Sequence, residues 1–200
     1  MTKKITTKEH IVESALRTLA EEGFAGATSR AIARRGKFNQ ALVFYHFGSL
    51  DALLLAALDK TSEERLEHYR GAVRAATTLE QLVDVAARAY RDDRESRHVA
   101  VVAQMIAGSV TRPDLAPAVL ARMEPWLELS EEALSKAISL GGLPELVPAG
   151  ELAYAVATFY LGVNLLNHLE TDRARADALF ARLETLAPTL SGILGHSARG

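Results

Sequence analysis

Residues 36–50, GKFNQALVFYHFGSL, bring together two amides (Asn39, Gln40), four aromatic rings (Phe38, Phe44, Tyr45, Phe47), an imidazole (His46) and no acidic residue. This set lacks an acid–base pair, but it suits nucleic acid. An amide can bond adenine, an apolar group can touch a thymine methyl, and hydroxyl or ring N–H donors can hold phosphates. From Gly23 to Leu50 the charged side chains are Arg30, Arg34, Arg35 and Lys37, all basic. Residues 1–50 hold eight Lys or Arg against four Glu, while the remainder holds fifteen basic against twenty-one acidic residues. A positive end on a mildly acidic body suits a polyanionic partner, although a basic solvated face would read the same on charge alone.

Other chemistries find little footing. There is no cysteine, which excludes disulfides, thiolate catalysis and cysteine-bound zinc, and fits a reducing cytoplasm. His168 and Asp172 stand four apart and could ligate a metal, but no third ligand accompanies them. No glycine-rich phosphate loop, nucleophile elbow or strand framework is present. The expectation is a protein that is not an enzyme and carries no cofactor and no metal.

The elements that must position the aromatic segment are short helices. Thr6-x-x-Glu9 is a capping-box pattern ahead of the stripe Ile11, Val12, Ala15, Leu16, Leu19. Gly23 reads as the end of that helix, with Phe24 packing back on it. Thr28 can cap a second helix, Ser29 to Arg35, stopping at Gly36. Asn39 can cap a third, from Gln40 to about Phe47, and Gly48-Ser49 ends it and caps a fourth. The fourth, from Leu50 to about Ala76, is long. Further helices follow from Thr78, over SRHVAVVAQMIAGSV, from Leu115 to Leu140 with Pro125 as a point of bending, over 151–169 and over about 173–194. GGLPELVPAG reads as a loop. The fold class is all-α with eight or nine helices, and the charge shift and change in helix length divide it near residue 50.

Helix, short turn, helix is the helix-turn-helix plan, whose second helix enters the major groove. A recognition helix this short needs large side chains to fix it. Val43 and Phe47, four apart, share a face that can pack against Ile32 and Leu16, and Phe38 in the turn reads as core. Gln40, Ala41 and Phe44 fall on the opposite side, with Tyr45 and His46 at the flank. Burial of Phe44 and Tyr45 in the core is the competing use of those rings. Arg34 and Arg35 read as a solvated face.

The run TSRAIARRGKFNQALVFYHFGSLDALL resembles the DNA-binding region of TetR-type transcriptional regulators, over roughly Thr6 to Leu58, with FYHFGS and the apolar helix after it as the most specific part. The resemblance implies a three-helix DNA-binding domain over 1–50, a larger ligand-binding and dimerisation domain over 51–200, and a homodimer on palindromic double-stranded operators. It implies that Thr28, Ser29 and Arg30 approach phosphates and a groove edge, that Gln40, Ala41 and Phe44 face bases, and that Tyr45 and His46 hold phosphates. Lys37 and Asn39, in the turn, complete the candidate DNA-contact set. Two positions depart from the family pattern. Lys37 stands where the turn usually has glycine, with Gly36 one residue early, so either Lys37 is left-handed or the helix ends sooner. Leu50 stands where helix four usually begins with a lysine.

A regulator of this kind is expected to be a repressor released by a small-molecule inducer. Candidate pocket residues are Tyr90, His98, Met105, Trp126, Phe159, Tyr160, Asn164 and His168, large or polar side chains on helices expected to be core. Tyr160, Asn164, Asn167 and His168 form one stripe of LAYAVATFYLGVNLLNHL (152–169). That segment is nearly long enough to span a membrane, but its amides and histidine make burial in the core or a subunit interface the simpler use. Helices 151–169 and 173–194 are the expected dimer interface. The alternative from another class is a helical protein-interaction module that has lost DNA affinity.

Overall fold

The computed structural model describes residues 6–141, 147–167, 169 and 174–197. Nine α-helices and one 3-10 turn occur among the described residues, with no strand. They are α1 (Thr7–Gly26), α2 (Ser29–Gly36), α3 (Ala41–Phe47), α4 (Leu50–Ala75), α5 (Leu79–Glu95), α6 (His98–Thr111), α7 (Ala116–Gly141), α8 (Ala149–Asn167) and α9 (Ala174–Ser197); the 3-10 turn is Pro113–Leu115. The all-α expectation holds. Half of the expected loop GGLPELVPAG, residues 142–146, lies outside the described residues, as do His168 and Asp172.

Local rules account for most helix starts. Thr6 and Glu9 make the reciprocal capping box, the Thr6 hydroxyl accepting from Glu9 N–H and the Glu9 carboxylate from Thr6 N–H. Thr28, Ser49 and Thr78 each accept the N–H three residues on, opening α2, α4 and α5. Gly23 corrects one expectation. It takes φ 73°, ψ 177°, a conformation that favours glycine, but α1 resumes after it and runs to Gly26. The kink turns the Phe24 N–H toward the Gln104 side chain on α6, whose Oε1 accepts it at 3.0 Å.

The chain divides into two compact units, residues 1–64 with 97–123, and residues 65–96 with 124–200. The first is built on Ile11, Ala15, Leu19, Ile32, Val43, Leu53 and Ala57, all fully buried. The second has one cluster of Tyr69, Val73, Leu82, Val85 and Leu129, with Trp126 at its edge, and another of Tyr90, Ala176 and Phe180, flanked by Tyr160 and Val163.

α8, expected in the core or at a subunit interface, is largely exposed in the single chain. It is long and apolar enough to cross a membrane by length and composition. Its buried residues are Ala149, Ala153, Asn164 and Asn167, while Tyr154, Phe159 and Leu166 are 54–67 % exposed. The polar side chains therefore face the protein. Asn164 Nδ2 donates to the Tyr160 carbonyl at 2.9 Å, and Asn167 Nδ2 to the Tyr90 hydroxyl at 3.5 Å. The apolar side faces outward.

Candidate nucleic-acid interface

α3 is fixed from behind and open in front. Val43 is fully buried, and Phe38 and Phe47 are half-buried, with the Lys8 ammonium 5.5 Å from the Phe47 ring centroid. Gln40, Ala41, Phe44 and Tyr45 are exposed, Phe44 at 47 % and Tyr45 at 81 %. The competing core placement of these two rings does not occur. Burying a phenylalanine ring contributes roughly 1.5–3 kcal/mol, so a chain that leaves Phe44 47 % exposed forgoes about half of that term.

Capping at the start of α3 is done by Asn39, whose Oδ1 accepts the Ala41 N–H at 2.9 Å while its carbonyl accepts from Leu42. This fixes the Asn39 side chain on the backbone. Gln40, with φ −50° and ψ −32°, already has helical dihedrals. Its Nε2 donates to the Ser29 hydroxyl oxygen at 2.7 Å, joining the first residue of α2 to the head of α3. Thr28 spends its hydroxyl oxygen on the cap of α2, and Arg30 is exposed beside it. The His46 ring stands edge-on to Tyr45, with centroids 4.9 Å apart. Arg35 pairs with Glu21 and Glu22 at 2.5 and 2.9 Å, and Arg34 lies 3.9 Å from Glu22, so both arginines tie α2 to the end of α1. Arg30 and Lys37 are both exposed.

The turn explains the misplaced glycine. Lys37 has φ 54°, ψ 43°, the left-handed conformation. Its N–H bonds the Arg34 carbonyl at 3.4 Å and the Phe38 N–H bonds the Ala33 carbonyl at 3.1 Å, closing α2 as a Schellman turn. Gly36 is glycine for another reason: a Cβ there would stand 2.2 Å from Phe38 Cε1 and 2.5 Å from Ser14 Oγ. The His10 ring also reaches in, its Nε2 2.8 Å from the Gly36 carbonyl oxygen.

The candidate pocket residues are divided between the two units. His98 and Met105 are buried in the first unit, where His98 Nδ1 lies 2.9 Å from the Thr61 hydroxyl. Tyr90, Trp126, Phe159, Tyr160 and Asn164 belong to the second unit. Of these, Trp126 packs near Tyr69, and Phe159 points outward, against the expectation that it lies in a core. Tyr90 and Tyr160 both border Phe180, and each makes a polar contact that sequence reasoning missed. Tyr90 stacks on Phe180 with centroids 3.9 Å apart and donates to Asp177 at 2.9 Å. Tyr160 donates to Asp93, which also accepts from Arg65 on α4 and, at 3.2 Å, from Ser96. Burial pushes the Asp93 carboxyl above its usual range, against the lowering effect of Tyr160 and Arg65. Burial, then the neighbouring Asp93 carboxylate, pushes the Tyr160 hydroxyl up as well. Asp93 is three residues past Tyr90 on α5, and that spacing was the one signal for it in the sequence.

Comparison with known proteins bears on the first unit. A family model described as bacterial regulatory proteins, tetR family, matches residues 11–57. That range covers α1 from Ile11 onward, all of α2 and α3, and the start of α4, and over it the chain is similar to the tetR family. The chain is also 40 % identical over 88 residues to the HTH-type transcriptional repressor Rv3405c of Mycobacterium tuberculosis, covering 41 % of this chain and 45 % of that protein. The chain thus spans less than half the length of the curated relative it matches. Among solved structures, the TetR family transcriptional regulator CifR, as a cysteine mutant with 26bp double-strand operator DNA, has a TM-score of 0.73 at 18 % identity, over 92 % of this chain and 98 % of that one. The transcriptional regulator FadR from Bacillus subtilis, in complex with stearoyl-CoA, has a TM-score of 0.59 at 14 % identity, over 92 % and 96 %. At these identities the likeness is one of fold alone, over 92 % of this chain in each case.

Proposed function

We propose that the chain is a ligand-responsive transcriptional regulator, a repressor released from a palindromic operator by a small-molecule inducer, with residues 1–50 as DNA-binding domain and 51–200 as ligand-binding and dimerisation domain. The observation that carries this reading is the two-sidedness of α3: Val43 fully buried, Phe44 and Tyr45 held in solvent. Gln40, Ala41 and Phe44 are the base-facing set. Thr28, Ser29, Arg30, Lys37, Tyr45 and His46 hold the backbone on either side, and Asn39 fixes the head of the helix. The operator-bound relative of the same fold supports the partner class.

Release by a ligand needs two arrangements of the dimer that DNA and inducer favour differently. α4 begins two residues after α3 and continues into the second unit, where Arg65 pairs with Asp93. A ligand that enters beside Tyr160 and Tyr90 and competes for this pair acts on α4 directly. It thereby alters the spacing of the two recognition helices, which must match about 34–36 Å of DNA or a multiple. Arg65 Nε is buried and has no hydrogen-bond partner among the described residues, which suits an inducer with an acceptor group on an apolar body. The exposed apolar sides of α8 and α9 supply the homodimer contact.

The test is a titration of the full chain against random duplex at low and moderate salt, followed by selection of preferred sequences. Salt-sensitive binding that sharpens on a palindromic site is expected. Absence of salt-sensitive binding overturns the reading in favour of a helical interaction module.

A further inference from the structure

Resting on the proposed DNA contact of α3, we propose that Ser29 orients the Gln40 amide, so that the choice of adenine over guanine depends on Ser29 giving its own proton to a phosphate. Gln40 Nε2 lies 2.7 Å from Ser29 Oγ and donates to it. Both side chains reach solvent, and among the described residues no group accepts the Ser29 hydroxyl proton and none bonds the Gln40 amide oxygen.

A hydroxyl has one proton and two acceptor lone pairs. While that proton is uncommitted, the pair has two equivalent states. In one, the Gln40 N–H donates to Ser29 and the amide oxygen faces outward. In the other, the amide is turned over and its oxygen accepts the Ser29 proton, leaving the NH2 group outward. The two states read opposite bases. An outward oxygen with the remaining N–H matches adenine, which offers an N6 amino donor and an N7 acceptor; an outward NH2 group matches guanine, which offers the O6 and N7 acceptors. Once Ser29 donates to a phosphate, its oxygen can only accept, and the turned-over amide would set two oxygens face to face without a proton between them. The chain phosphate, Ser29 hydroxyl, Gln40 amide, base is then polar in one sense throughout, and each bond in it strengthens the next. Ser29 is a positioning residue: it touches the backbone and governs a base it does not reach. Phe44, one helical turn beyond Gln40 and exposed, is placed for the thymine methyl of a neighbouring pair.

The experiment uses the full chain. Duplexes selected from a random pool define the preferred site, and the position whose preference disappears in Gln40→Ala is the pair that Gln40 reads. Competition between adenine and guanine versions of that position is then measured for wild type, Ser29→Ala and Ser29→Thr, with thermal unfolding as a check that each variant folds. Wild type is expected to favour adenine by about tenfold or more. Ser29→Ala should reduce that preference to within roughly threefold, whereas Ser29→Thr, which keeps a hydroxyl, should restore it, and Ser29→Ala should add nothing at this position in a Gln40→Ala background. Guanine selected at the Gln40 position, or Ser29→Ala discriminating as sharply as wild type, overturns this inference while leaving the regulator reading intact. A wild-type chain that selects no sequence overturns both.

Discussion

The Phe38 ring lies against the position a Cβ on Gly36 would take, 2.2 Å from its Cε1, while the left-handed residue of the turn is Lys37. The glycine serves close packing between α1, α2 and the turn, and the lysine takes the backbone conformation a glycine usually takes. Gly36→Ala is therefore expected to destabilise by about 1–3 kcal/mol through overpacking. Lys37→Gly should be neutral or stabilising by up to ~1 kcal/mol, relief of left-handed strain being partly offset by the larger entropy of the unfolded chain. Denaturant midpoints of the two variants check the assignment; an equally tolerated Gly36→Ala would contradict it.

Leu50 tests the electrostatics of the reading head in the gain-of-function direction. It is the first residue of α4 and only partly buried, so a lysine fits there without displacing core. Leu50→Lys adds one cation beside the expected path of the backbone. Duplex affinity should rise at low salt, and the slope of log K against log salt should steepen by about 0.9. Lys37→Ala is expected to move the slope by about the same amount in the opposite sense. Slopes unchanged in both variants would place the DNA path elsewhere.

The buried Asp93 gives stability a pH dependence of defined sign. Folded Asp93 holds its proton to higher pH than the unfolded chain, whose aspartate titrates near 3.8. Between that value and the raised folded one, the native state binds more protons, so this group's contribution to stability falls as pH rises. Tyr160→Phe removes a donor that lowers the Asp93 pKa, so the window should widen upward, with a loss of about 1–3 kcal/mol for the unmet carboxylate. Asp93→Asn should abolish the dependence and, by stranding Arg65, cost on the order of 3–5 kcal/mol. Denaturation at a series of pH values reads both effects.

Features set by neighbours in sequence were legible before the structure. The Thr6–Glu9 box, the Thr28, Ser49 and Thr78 caps and the two faces of α3 all follow from spacing over three or four residues. The reason for Gly36 was not legible, because it lies in Ser14 and Phe38 converging on it from α1 and the turn. Nor was the Asp93 cluster: Arg65 and Tyr160 reach it across 28 and 67 residues. The exposure of Phe159 was hidden for a third reason. An apolar helix reads the same whether its cover comes from its own chain or from another, and Phe159 was misassigned to a core on that account.

The outward side of α8 and α9 yields the last prediction. Leu165 and Leu166 on α8 and Leu179, Leu183 and Leu186 on α9 are 36–62 % exposed, and each leucine fully removed from water on association contributes about 1.5–3 kcal/mol. Two such helices from each protomer can form a four-helix bundle, the isologous arrangement in which one patch meets its own copy. Leu166→Glu with Leu183→Glu sets charges in that patch without touching a buried residue of the chain, so helix content by circular dichroism should be unchanged. Sedimentation should then report a monomer, and binding to a palindromic duplex should fall to that of a single half-site, because the two reading heads are no longer linked. A double variant that still sediments as a dimer would move the interface off α8 and α9, since two buried glutamates facing their own copies cannot be accommodated in a closed apolar bundle.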